Sequence, residues 1–195
     1  MALKKIRKLL LMDEHVCPWW FAYSFDNPLR RLIQPAGKIV APHVQPGMTV
    51  LDIGCGMGYF SLELARRIGP EGRVIAVDLQ EKMLQGLRKR AERHGLMDRI
   101  TLHRCEPDSL GVSQEADFIL TFWMVHEVPD QRSFLEELHA VLKPDGKWLL
   151  AEPKLLHTSQ PQFDALLDNA NAVGFHQIGR PEVRFSYAAL LEKNP

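Results

Sequence analysis

From Thr49 onward, short apolar runs alternate with longer segments of helical period. No feature of the chain constrains its fold more tightly. TVLDI (49–53) reads as a buried strand, and RVIAVD (73–78), ITLHR (100–104), ADFILTF (116–122) and KWLLAE (147–152) read as four more strands. Between them, Phe60, Leu64, Ala65 and Ile68 recur at helical spacing, as do Met83, Leu84, Leu87 and Ala91. Phe134, Leu135, Leu138, Val141 and Leu142 mark a third helix, which Lys143-Pro144 is expected to stop. Pro161 opens a fourth, carried by Phe163, Leu166, Leu167, Ala170 and Val173 and closed by Gly174. Strands alternating with helices imply a mostly parallel sheet, doubly wound, with helices on both faces. FHQIG and RFSYAALLEK then follow with only Arg180-Pro181-Glu182 between them, which predicts an antiparallel C-terminal hairpin at the sheet edge. The expectation is a seven-stranded α/β fold in one compact unit over 35–195, preceded by an N-terminal segment over 1–34.

The segment LDIGCGMGYF (51–60) joins the first strand to the first helix. Gly54, Gly56 and Gly58 permit positive φ and let backbone approach a ligand closely. Open parallel sheets bind ligands beyond the carboxyl ends of their strands, so a cofactor belongs at this loop. Dinucleotides use G-x-G-x-x-G, with pyrophosphate on the helix N-terminus. Here Asp52 lies two residues before the first glycine, and its carboxylate would repel a pyrophosphate while suiting an α-ammonium. Asp78 ends the second strand, where a carboxylate can accept both hydroxyls of a ribose. Ribose, an amino-acid moiety and no phosphate describe S-adenosylmethionine. A nicotinamide dinucleotide is disfavoured by the same aspartate.

VLDIGCGMG together with AVD resembles the first two motifs of class I S-adenosylmethionine-dependent methyltransferases, and the resemblance runs over about residues 35 to 193. FILTFWMVHEVPD resembles the fourth-strand segment of the ubiquinone/menaquinone-biosynthesis-like branch, and LKPDGKWLLAE its LKPGG turn and fifth strand. The resemblance implies that Asp52, Gly54, Cys55, Gly56 and Gly58 line the methionine and ribose side. Asp78 and Leu79 would hold the ribose and one adenine face, with Glu106 at the adenine edge. Thr121 would face the sulfonium side through its backbone.

Methyl transfer from a sulfonium is an in-line displacement on an already activated donor, so alignment can supply much of the catalysis. A base is needed only where the acceptor must lose a proton. His126, just past the fourth strand, is the candidate base, and Glu127 reads as a solvated or capping residue. The aromatic stretch CPWWFAYSF (17–25) precedes the first strand, and DNPLRR after it reads as a helix start capped by Asn27. Trp19, Trp20, Tyr23 and Phe25 are expected to form a lid over the cofactor cleft, with Trp123 and Met124 opposite and Tyr23 touching the cofactor. The competing reading is a hydrophobic cluster that pins this segment to the core.

Charge and composition narrow the acceptor. Lys plus Arg equals Asp plus Glu at 24 each, which disfavours a nucleic-acid partner. No Asn/Asp-Pro-Pro-aromatic stretch follows the fourth strand, and a short fifth connection leaves no room for a large recognition insert. A small, apolar or aromatic acceptor is expected, with S-adenosylhomocysteine as coproduct. A non-catalytic cofactor-binding subunit is the alternative. Three cysteines without paired or ligand spacing point to a reduced, cytoplasmic setting and no metal. Cys17, outside the motifs, is the candidate reactive thiol. Lys4 to Met12 mimics a signal peptide, but its four-residue apolar stretch is shorter than the roughly 7–15 residues required. A basic helix lying on a membrane surface is the sharper alternative to a solvated one.

Overall fold

The computed structural model describes residues 32–154 and 158–195. Strands β1 (Thr49–Ile53), β2 (Arg73–Asp78), β3 (Ile100–Arg104) and β4 (Ala116–Phe122) form at the segments the sequence pattern predicts. With β5 (Leu142–Pro153), β6 (Phe175–Gly179) and β7 (Ser186–Lys193) they build one sheet in the order β3-β2-β1-β4-β5-β7-β6. The first five strands pair in parallel, and β7 runs antiparallel to both β5 and β6.

The helices are α1 (Ala36–Val40), α2 (Ser61–Ile68), α3 (Glu81–Arg93), α4 (Gln131–Val141) and α5 (Gln160–Val173). Their ends follow local chemistry. Asp130 accepts the backbone N–H of Ser133 at the start of α4. Ser159 and Gln162 form a capping box at α5, and Gly174 takes the left-handed conformation that ends it.

Two apolar layers enclose the sheet. Val50, Phe118, Leu120 and Leu149 pack with helices α1 to α3 on one face. Leu51, Ile119, Trp148 and Leu150 pack with α4 and α5 on the other. Successive residues of the central strands thus point into opposite apolar layers, which is why β1, β2 and β4 read as mostly apolar runs, whereas β3 at the sheet edge is only partly buried. Each fully buried Leu or Phe contributes roughly 1.5–3 kcal/mol.

Two boundaries differ from the sequence expectation. Helix α4 ends at Val141, and β5 begins at once, because Leu142 already pairs with Ala116. The register then shifts, and Lys147 pairs with Phe118. In the hairpin, β7 starts at Ser186 and inserts between β5 and β6, so β6 takes the edge. Among the described residues, no helix is long and apolar enough to cross a membrane.

Candidate functional site

Strand order reverses between β1 and β4, whose last paired residues are Ile53 and Thr121. The glycine loop leaves β1 at this point. Gly54 and Cys55 both donate backbone N–H groups to the Val77 carbonyl, at 2.9 and 3.1 Å, which folds the loop over the end of β2. All three glycines have positive φ: 70° at Gly54, 54° at Gly56 and 82° at Gly58. The loop needs glycine for two further reasons. A Cβ at Gly54 would lie 2.8 Å from Met124 Cβ, and one at Gly58 would lie 2.2 Å from Leu87 Cδ1. At Gly56 it would meet nothing within 4 Å among the described residues. Among the described residues, the bare backbone there faces open space.

Two aspartates flank the loop. Asp78 Oδ2 accepts from Gly56 N at 2.8 Å, and Oδ1 accepts from Gln80 N at 2.9 Å. Burial pushes the Asp78 carboxyl above the usual range, and these two bonds oppose that shift. Each carboxylate oxygen retains further acceptor capacity. Asp52 is 2% exposed, and its Oδ2 accepts from Ser61 Oγ at 2.5 Å. Ser61 is the first residue of α2, so this carboxylate also sits at a helix N-terminus, where negative charge is favoured. The sequence reading did not include Ser61. Its signal would have been a hydroxyl at a helix start nine residues after a strand carboxylate.

The remaining positions are distributed around the same rim. Leu79 is half-buried directly after β2. Glu106 is exposed and held in a tight turn by reciprocal backbone bonds with Ser109. Thr121 is buried, with its hydroxyl accepting from Trp148 Nε1 at 2.9 Å and its backbone paired between Ile53 of β1 and Leu150 of β5. Cys55 is buried and Cys105 half-buried. Burial, then the neighbouring Asp78 charge, pushes the Cys105 thiol up to about 11, so it is protonated at neutral pH.

Trp123 and Met124 diverge. Trp123 packs with the α1–α3 layer, and Met124 packs with the α4–α5 layer and over Gly54. Trp123 has φ 60°, a conformation costing about 1–3 kcal/mol for a residue with a side chain. It is held there by its N–H on the Ala151 carbonyl at 2.7 Å and by Nε1 on Ser186 Oγ at 2.8 Å. Trp19, Trp20, Tyr23, Phe25, Cys17 and the Asn27 cap lie outside the described residues. At the junction with the proposed N-terminal segment, Gln34 is 2% exposed. It donates to the Arg184 carbonyl at 2.8 Å and accepts from Tyr59 Oη at 2.7 Å.

His126 falls in a 3-10 turn, Val125–Glu127, just past β4. Its Nδ1 lies 2.5 Å from Glu152 Oε2. Glu152 is completely buried near the end of β5 and also accepts the N–H groups of Val125 at 3.0 Å and His126 at 3.3 Å. Burial works to lower the His126 pKa, but the Glu152 hydrogen bond and the charges of Glu152 and Glu127 outweigh it, and the net shift is upward. Glu152 was read only as the last residue of a strand. The signal it carried was a carboxylate at the carboxyl end of an apolar parallel strand. A separate cavity of about 330 Å3, lined by Pro35, Tyr59, Glu63, Arg66, Arg90 and His94 among others, includes none of these strand-end residues.

The reversed strand order, the glycine loop bonded to Asp78 and the antiparallel β7 together define a class I methyltransferase fold, the fold class built around S-adenosylmethionine. The chain belongs to the methyltransferase-domain family whose model matches residues 44–189. It is 35% identical over 119 residues to a demethylmenaquinone methyltransferase of Lactobacillus johnsonii, a match covering 60% of this chain and 47% of the relative. It is 31% identical over 119 residues to the Geobacillus stearothermophilus demethylmenaquinone methyltransferase, covering 61% of this chain and 49% of that one. The chain thus spans about half the length of these curated relatives. A SAM dependent methyltransferase from Aquifex aeolicus superposes with a TM-score of 0.79 at 23% identity, over 90% of this chain and 98% of that one, which shows the shared fold.

Proposed function

We propose that this chain is an S-adenosylmethionine-dependent methyltransferase acting on a small hydroxylated aromatic molecule of the quinol kind. The observation that carries the reading is the Gly56–Asp78 bond. It joins an open, side-chain-free stretch of backbone to a carboxylate that can still accept the two hydroxyls of a ribose. A side chain at Gly56 would fill that space, and a phosphate beside Asp52 and Asp78 would be repelled. The residues present therefore fit a phosphate-free nucleoside carrying an amino acid.

When bound, S-adenosylmethionine supplies an electrophilic methyl group. The protein's residues divide the remaining work. Asp78 and Leu79 hold the nucleoside, with Glu106 at its far edge. Asp52 places negative charge beneath the loop, complementary to an α-ammonium. Met124 covers Gly54 and excludes water from the end of β1. His126 takes the proton that a hydroxylated acceptor must lose. The quinol class rests on the named relatives and on the neutral charge of the chain. A cytoplasmic setting belongs to the same reading, supported by the sparse cysteines.

Calorimetric titration with S-adenosylhomocysteine, with NAD+ as control, tests the cofactor, and labelled-methyl transfer to a demethylated naphthoquinol tests the acceptor. Micromolar binding of the first ligand alone, with transfer, is the expected result. No binding of S-adenosylhomocysteine overturns the reading. Binding without transfer to any small acceptor returns the non-catalytic alternative.

A further inference from the structure

Glu152 is the most completely buried carboxylate near the strand ends, and every bond described for it points to one turn. Its Oε1 accepts from Val125 N at 3.0 Å. Its Oε2 accepts from His126 N at 3.3 Å and lies 2.5 Å from His126 Nδ1. A carboxylate with no solvent exposure must recover its hydration through such bonds. A purely structural anchor would need only the two backbone donors. The third bond goes to the imidazole, and it fixes both the orientation of the ring and the nitrogen that carries the proton, because an ionised carboxylate can only accept.

We propose that Glu152 is a positioning residue that keeps the proton of neutral His126 on Nδ1, so that Nε2 receives the proton of a hydroxylated acceptor. The inference rests on the methyltransferase reading above. In the proton step, the acceptor O–H bond breaks and its electron pair stays on oxygen. The Nε2–H bond forms, and the resulting imidazolium is stabilised by the buried Glu152 charge. Release of that proton to solvent restores neutral His126. Among the described residues, the charged groups facing the ring include Glu152 from β5 and Glu127 beside it in the same turn, whose Oε1 is 4.0 Å from Nε2. Both favour the imidazolium. The ring is therefore a stronger base than a free histidine, and it is active only above its own raised pKa.

The test uses the full chain, with and without Glu152→Gln and His126→Ala. The His126 ring is followed by NMR against pH, and kcat and KM are followed against pH with a quinol acceptor. In the wild type, His126 is expected to titrate above the ordinary value of 6.5. Glu152→Gln moves that titration, and the acid limb of kcat, to lower pH. It lowers kcat roughly 10- to 100-fold with KM little changed. In the His126→Ala background the same substitution produces no further loss. A wild-type His126 that titrates at or below 6.5 overturns the assignment without recourse to any variant. So does a Glu152→Gln effect of equal size in the absence of His126, which would mark Glu152 as structural. The NMR arm requires no turnover, so the pairing can fail while cofactor binding by calorimetry succeeds, and the reverse.

Discussion

The backbone N–H of Gly56 donates to Asp78 Oδ2 at 2.8 Å, across 22 residues of sequence. One bond thereby joins the loop after β1 to the end of β2. It sets the distance between the glycine backbone and the carboxylate, and for the proposed nucleoside that fixed spacing would reduce the ordering cost of binding.

Asp78→Ala removes that carboxylate. Two hydrogen bonds from a ribose to a charged acceptor would be lost, so affinity for S-adenosylhomocysteine should fall on the order of 100-fold. Calorimetry measures the loss, and an unchanged circular dichroism spectrum shows that the fold survives. An unchanged dissociation constant would remove the ribose assignment.

Gly58→Ala meets two penalties at once. Its φ of 82° is unfavourable for any residue with a Cβ, and that Cβ would overlap fully buried Leu87. Stability should drop by about 2 kcal/mol or more, read from urea unfolding. Gly58→Ala with Leu87→Ala should remove the overlap and retain the φ strain. Equal midpoints for Gly58→Ala and wild type would contradict the packing seen here.

Ser61→Ala takes the hydroxyl from Asp52 Oδ2 and leaves a buried carboxylate short of a donor. The expected cost is roughly 1.5–3 kcal/mol. Thermal unfolding of the variant against the wild type reads it directly, and Ser61→Thr, which restores a hydroxyl, should recover part of the loss.

His126 predicts a pH dependence of stability with a definite sign. Its folded value is raised because the pair with Glu152 outweighs burial. The folded state therefore binds this proton more tightly than the unfolded state. The resulting stability is complete below the ordinary value of 6.5 and is lost as pH rises through the raised folded value. The melting temperature of the wild type should exceed that of His126→Gln most at acidic pH, with the gap narrowing above neutrality. A gap that widens with rising pH would reverse the assignment.

The strands β1 to β4 coincide residue for residue with the apolar runs TVLDI, RVIAVD, ITLHR and ADFILTF. Burial on both faces makes β1, β2 and β4 legible, since nearly every residue must be apolar whichever layer it enters, while β3 at the edge is only partly buried. The ends of α5 were equally readable, because a proline in the first turn and a left-handed glycine act within a few residues. The start of β5 was not. Leu142 extends the strand through its pairing with Ala116, a contact with a distant segment that no local pattern records.

The site divides along the same line. The glycine loop and Asp78 were evident from residue type and spacing, since positive φ and a carboxylate at a strand end are local requirements. Ser61 beneath Asp52, Glu152 behind His126, and the separation of Trp123 and Met124 onto opposite layers were decided by strand order and register. A sequence determines on its own what short-range sterics and hydrogen bonding dictate, here the elements and the glycine loop. Which side chains meet across the sheet depends on long-range packing, and that is why the carboxylate partnering His126 emerged only once β5 lay beside β4.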